Sequence, residues 1–121
     1  SGQFQNERLQ KIAPQLFQSY THNHGEDRFQ FIKKVREKSL FRWFNLASAK
    51  FPFKQRFHII FCRNVILYFS EARRVTLLEN IFNALEPGGV LFIGLSEVNI
   101  KMPKGLQQVA PAVFRKHPDL P

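Results

Sequence analysis

The run Phe57-His58-Ile59-Ile60-Phe61-Cys62 constrains the fold of this chain more than any other stretch. It is almost continuously apolar and bounded by polar residues, the pattern of a strand buried on both faces in a parallel sheet covered by helices. A helix is expected to follow from Ser70, where Ser70 and Glu71 offer an N-cap acceptor and a charge suited to the helix dipole. Val75, Leu78, Ile81, Phe82 and Leu85 then recur as one apolar helical face. Glu86-Pro87-Gly88-Gly89 ends that helix, because proline lacks a donor and glycine accepts positive φ. Val90-Leu91-Phe92-Ile93-Gly94 reads as a second doubly buried strand. Strand, helix, glycine turn and strand make a βαβ unit, whose crossover is right-handed in nearly all proteins.

The flanking segments are less regular. Glu7 to Tyr20 carries apolar residues close to a helical repeat, with Pro14 as the expected break, and the polar stretch Thr21 to Asp27 reads as a loop. His22 and His24 have no further ligand at metal-binding spacing, so no metal site is expected. Phe29, Phe31 and Val35 alternate with polar residues and Leu40 to Leu46 is rich in aromatics, so both segments read as strands. Phe51 to Arg56 reads as a connector, Val109 to Phe114 as a last strand, and disorder is expected from Lys116 to Pro121. Ser1-Gly2 looks like a remnant of expression cloning, leaving one domain over residues 3–116 and a flexible tail over 117–121.

A chain of 121 residues with 44% hydrophobic content and 14 phenylalanines can bury one core. The single cysteine, Cys62, cannot form an internal disulfide and reads as a buried reduced thiol, which fits a cytoplasmic setting. A formal charge of +9, from 18 Lys+Arg against 9 Asp+Glu, favours acidic partners of some kind. The basic residues, Lys116 among them, are spread along the chain and read as a solvated basic surface.

Arg63 and Asn64 directly follow the apolar run Phe57–Cys62, where open α/β sheets bind ligands. On composition alone, a strand end whose Arg and Asn meet solvent or cap the next helix explains them equally well. The segments Phe57 to Phe69, Leu85 to Glu97 and Val109 to Lys116, with Phe41-Arg42-Trp43-Phe44-Asn45-Leu46, resemble in order and spacing the CheR-type chemotaxis-receptor methyltransferases. The resemblance runs from about Leu9 to Lys116.

That resemblance implies an α/β fold, a partial Rossmann-like sheet of the class I methyltransferases. It also implies transfer of the methyl group of S-adenosylmethionine to a glutamate carboxylate on an acidic segment of a receptor. Asn45 and Leu46 would lie against the adenosine side of the cofactor, Arg63 and Asn64 would contact it from the next strand end, and Tyr68 would sit beside the transferred methyl. The alternative for Tyr68 is an aromatic packed under the helix. Glutamate is already ionised near neutral pH, so alignment and electrostatics matter more than a general base; Arg63 and Tyr68 are the catalytic candidates.

His58, Leu95 and Phe114 stand where the family has aspartate, histidine and tyrosine. The family's glycine-rich cofactor loop and ribose-gripping acid have no counterpart here, so the resemblance implies a chain that supplies only part of the cofactor site and is inactive alone. A non-catalytic binding module with the same fold is an alternative reading, and a basic nucleic-acid-binding relative is a weaker one, since the phenylalanines fall at core-facing positions. Without the family's central strands, the edge at Phe57–Cys62 is expected to be unpaired. A homo-oligomer follows, most simply a strand-exchanged dimer; in the alternative monomer, Leu40 to Leu46 pairs directly with Phe57 to Cys62.

Overall fold

The structure is a computed structural model and describes residues 3–5, 11, 13–23 and 28–121. The expectations for residues 1–2, for 7–10 and 12 of the first helix, and for 24–27, which include His24, lie outside the described residues. The chain divides into two compact units, Ser1–Trp43 and Phe44–Pro121.

In the first unit, β1 (Gln3–Gln5), β2 (Thr21–Asn23) and β3 (Arg28–Phe31) form an antiparallel sheet in the order β1-β3-β2. Lys11 is helical, Ala13 leaves helical geometry at φ −152° and ψ 73°, and helix α1 (Pro14–Tyr20) starts afresh, so the interruption expected at Pro14 is present; a first-turn proline has no N–H to lose and its φ is already helical. Thr21 Oγ donates to Phe17 O at 2.6 Å and closes the helix, after which Thr21–Asn23 is strand, not loop. Phe29 is fully buried, with the rings of Phe17 and Phe31 edge-on at 4.9 and 5.6 Å.

Val35 does not continue the alternation of Phe29 and Phe31. It lies in the short helix α2 (Lys33–Glu37), where the N–H groups of Val35 and Arg36 both donate to Ile32 O. Leu40 to Leu46 is not a strand either. Leu40, Phe41 and Trp43 are exposed, and the backbone turns at Asn45, whose carbonyl accepts from Ser48 N at 3.1 Å. Aromatic content alone gives no strand where no neighbouring ladder satisfies the backbone.

The second unit contains the expected βαβ element. Strand β4 (Phe57–Cys62) runs parallel to β5 (Leu85–Ile93), with Ile60 opposite Leu91 and Cys62 opposite Ile93, and α3 (Glu71–Ala84) connects them. Helix α3 buries Leu77, Leu78, Ile81 and Ala84, a stripe rotated from the expected one, so that Val75 faces outward. Leu77 displaces Val75 because it sits beside Leu78 and Ile81 on the helical wheel. The helix ends at Ala84, and Gly88 takes φ 77° after Pro87 as the chain enters the paired part of β5.

Neither strand is buried on both faces. Phe57, Ile59 and Phe61 on alternate positions of β4 are exposed, while Cys62 is buried. Along β5, Leu91 and Ile93 are buried whereas Val90 and Phe92 are half-buried. One face packs under α3 and the other has no covering layer among the described residues.

The expected last strand is a hairpin, β6 (Leu106–Ala110) and β7 (Val113–Lys116), giving the mixed sheet order β4-β5-β7-β6. Pro111 cannot donate to a ladder and marks the turn, and Ala112 takes φ 60° in the left-handed region. Ile93 N donates to Ala112 O at 3.0 Å, tying the hairpin turn to the end of β5.

Lys116 is not in a disordered tail. It ends β7 fully buried, its Nζ donating to Phe82 O and Leu85 O at 3.0 Å and lying 4.3 Å from the centre of the Phe82 ring. It therefore closes the carbonyl end of α3 as a buried cationic cap. Beyond it, His117 N donates to Gly105 O at 2.9 Å, and a side chain at Gly105 would run into the Phe82 ring.

Candidate functional site

At Cys62 and Ile93 the parallel ladder stops, and the chain leaving β4 must turn without strand partners. Asn64 makes the turn with φ 58°, a left-handed conformation that asparagine tolerates better than most side chains. Ile66–Tyr68 then forms a single 3₁₀ turn, with Tyr68 N donating to Val65 O and Phe69 N to Ile66 O. Ile66 is fully buried and plugs the loop into the core.

Glu97, just past the end of β5, supplies the acceptors that the ladder no longer provides. Its Oε2 accepts from Gly94 N at 2.7 Å and Asn64 N at 3.0 Å, and its Oε1 accepts from Leu67 N at 3.2 Å. The carboxylate is fully buried. Burial by itself would raise its pKa, but the backbone N–H groups of Gly94, Asn64, Leu67 and Ile66 together outweigh that and hold it below the ordinary value. The neighbouring Cys62 thiol moves the other way: burial first, and then the Glu97 charge, push it up to about 11. At neutral pH, Cys62 is a protonated thiol and no nucleophile. Arg74 of α3 adds a further tie, donating from Nη2 to Leu67 O at 3.0 Å.

Arg63 and Asn64 are exposed, and Tyr68 is 81% exposed. Tyr68 is thus not packed under α3. Asn45 uses its own Oδ1 to accept from Ala47 N at 2.9 Å, fixing a turn; Asn80 Nδ2 donates to Ser48 O at 3.0 Å and fastens that turn to α3. Leu46 is half-buried against the core.

An open cleft of about 420 Å³ runs along the bare side of β4, lined by Phe44, Leu46, Ile60, Phe61, Arg63 and Val65 among others. The fold therefore brings Leu46 and Arg63 to one cavity, whereas Asn45, Asn64 and Tyr68 do not line it. Its aromatic wall is interlocked, with Phe44 edge-on to Phe51 and Phe53, and Phe61 stacked on Phe92 at 4.7 Å. Among the described residues, no carboxylate lines it. Of the three positions that depart from the resemblance, His58 and Leu95 are exposed and Phe114 is buried.

Comparison with known proteins settles the family. The family described as CheR methyltransferase, SAM binding domain, matches residues 1–114. The chain belongs to the CheR methyltransferase family. A chemotaxis protein methyltransferase of Borreliella burgdorferi is 33% identical over 116 residues, covering 96% of this chain and 41% of that protein. Chemotaxis protein methyltransferase Cher2 of Pseudomonas putida is 35% identical over 98 residues, 81% of this chain and 35% of that protein. The chemotaxis protein methyltransferase of Escherichia coli is 32% identical over 101 residues, 80% of this chain and 35% of that protein. The chain thus spans about two fifths or less of the length of these curated relatives.

The cofactor of the CheR family is S-adenosylmethionine. The cleft fits part of it. An apolar wall with Arg63 in its lining suits a flat heterocycle, while a lining without carboxylates offers nothing to grip a ribose diol or to face a sulfonium charge.

Glu97 carried no role in the sequence reading, although it follows a strand end and a glycine. A charge placed there, directly after an apolar run, was the available signal. Lys116 was grouped with solvated basic residues because its partners lie about 30 positions away, Leu85 at a separation of 31 and Phe82 at 34.

Proposed function

We propose that this chain works in S-adenosylmethionine-dependent methyl transfer to a glutamate carboxylate of a chemotaxis-type receptor, contributing the part of the cofactor site that follows β4. The reading rests above all on the tightly held loop Arg63–Tyr68 at the carboxyl end of a parallel strand pair, the place where open α/β sheets bind ligands. Leu46 and Arg63 would meet the cofactor in the cleft, and Asn45 and Asn64, their neighbours in sequence, would contact it from outside that lining. Bound there, the cofactor supplies an electrophilic methyl on a sulfonium. The side chains would do the rest by orientation: the Arg63 guanidinium can hold a carboxylate through two parallel hydrogen bonds, and the exposed Tyr68 hydroxyl can direct an oxygen.

The net charge of +9 supports an acidic receptor segment as partner, and the buried unpaired Cys62 supports a reducing, cytoplasmic setting. The chain alone is taken to be inactive and to form a homo-oligomer through its bare β4 edge.

The test is methyl transfer by the longer protein that carries this chain. Arg63→Ala and Tyr68→Phe are each expected to lower the rate tenfold or more, about 1.4 kcal/mol in the barrier, with melting temperature unchanged. Wild-type rates in both variants would remove these residues from the reaction.

A further inference from the structure

We propose that Glu97 is the positioning residue of the site, its buried carboxylate setting the shape of the loop that carries Arg63, Asn64 and Tyr68. This inference rests on the reading of that loop as the cofactor-facing one.

The geometry divides the labour between the two oxygens. Oε2 takes the N–H of Gly94 and of Asn64, so it joins the end of β5 to the residue that turns the chain after β4. Oε1 takes the N–H of Leu67 in the middle of the 3₁₀ turn. Arg63 and Asn64 thus stand beside one anchor, and Tyr68 directly follows the other. Asparagine enters the left-handed region at low cost, so Asn64 can turn the chain there, and the hydrogen bond from its N–H to the carboxylate holds that turn in place.

Gly94 makes room for the arrangement. A Cβ at this position would lie 2.5 Å from Asn64 Oδ1 and 2.8 Å from Glu97 Oε2, so the loop can approach β5 this closely only beside a glycine. The side chain must also be a carboxylate. Every partner of the Glu97 carboxylate is a donor, and a glutamine would turn its own NH₂ group toward either Leu67 N–H or the pair from Gly94 and Asn64. An aspartate is one methylene too short to reach both sides. Ion pairing does not explain the site: among the described residues, the recorded salt bridges are Lys33–Glu37 and His117–Asp119.

Amide exchange and NMR shifts of the 121-residue chain carry the first arm of the test. In the wild type, the amide protons of Asn64, Leu67 and Gly94 are expected to be shifted downfield and protected although the loop lies at the surface. Glu97→Gln is expected to move these signals upfield and to speed their exchange about tenfold or more, while amides of β5 and β7 keep their protection. Freely exchanging amides at the three positions in the wild type would overturn the proposal without recourse to any variant. Equal loss of protection across β5 and β7 in Glu97→Gln would overturn it too, since Glu97 would then be an ordinary core residue.

The second arm measures S-adenosylmethionine affinity in the longer protein, with Arg63→Ala as the comparator. Tenfold or greater weakening in both variants supports the proposal. Weakening in Arg63→Ala but not in Glu97→Gln overturns the positioning role. Unchanged affinity in Arg63→Ala removes Arg63 from the cofactor site and counts against the functional reading, while the exchange data still decide whether Glu97 shapes the loop.

Discussion

Glu97 remains ionised in a fully buried position because backbone N–H groups replace the water it has lost. A folded-state pKa below the ordinary 4.5 means that the unfolded chain takes up the proton first as acid is added. The stability this residue contributes is therefore complete above about pH 4.5 and is lost as the pH falls through its folded value. Denaturation midpoints measured on either side of pH 4.5 should show that decline, and Glu97→Gln should flatten part of it. Equal slopes in the two proteins would mean that Glu97 is not the titrating group. Lys116 poses the opposite problem, since its two hydrogen bonds go to carbonyls at the end of α3. Lys116→Met keeps most of the stem but leaves Phe82 O and Leu85 O without that donor, and should cost about 2–3 kcal/mol in urea denaturation. An unchanged midpoint would show that these carbonyls find other partners. The burial of Lys116 could not be read from local sequence, because isolated charges are solvated in most settings, and the only local signal at Glu97 is its place just past a strand end; Arg63 and Asn64 stand out as candidates because they follow an apolar run that locates a strand end, whereas Tyr68 is a candidate through the family resemblance alone.

At the scale of elements, legibility tracked whether a segment's pattern could be satisfied locally. The βαβ unit was readable because apolar runs, a helical stripe and Pro87-Gly88 fall in an order with few alternatives. The Phe29, Phe31 and Val35 spacing was ambiguous: strand β3 ends at Phe31, and Ile32 redirects the chain into α2 by donating to Tyr20 O. Leu40 to Leu46 misled more seriously, since aromatic side chains favour strands only where a neighbouring edge accepts them. Pro111 was an available and overlooked signal for the β6–β7 turn. The element that matters most to the site, the loop after β4, also gives a sharp test. Gly94→Ala should force Asn64 and Glu97 apart and destabilise the fold by about 1–3 kcal/mol, as overpacking in a closed site does. Calorimetric melting that matches the wild type would show that the loop can yield at no cost.

For the molecule as a whole, the outcome expected of the bare β4 edge is association. Strand β4 pairs with β5 on one side and has no other sheet neighbour among the described residues; in particular Leu40 to Leu46 does not pair with it. Its outward side chains are apolar, Phe57 being 39% exposed, Ile59 55% and Phe61 69%. An edge with free N–H and C=O groups beside an apolar face is a template for another strand; of the two edges of this sheet, β4 carries the apolar outward row whereas β6 is largely polar there, so the β4 of a second copy is the simplest partner. Two copies related by a two-fold axis would place β4 against β4 in antiparallel register, pairing the two free edges into one continuous sheet. The same surface includes the wall of the cleft, so dimerisation should compete with cofactor entry, and the chain alone should bind S-adenosylmethionine more weakly than micromolar. Calorimetric titration giving micromolar or tighter affinity would contradict that. Light scattering at micromolar concentration should return twice the 14.2 kDa chain mass. Ile59→Lys, which puts a charge on the outward face without entering the core, should return the single-chain value while leaving helical content intact. A wild-type species of 14.2 kDa with no concentration dependence would sink the dimer.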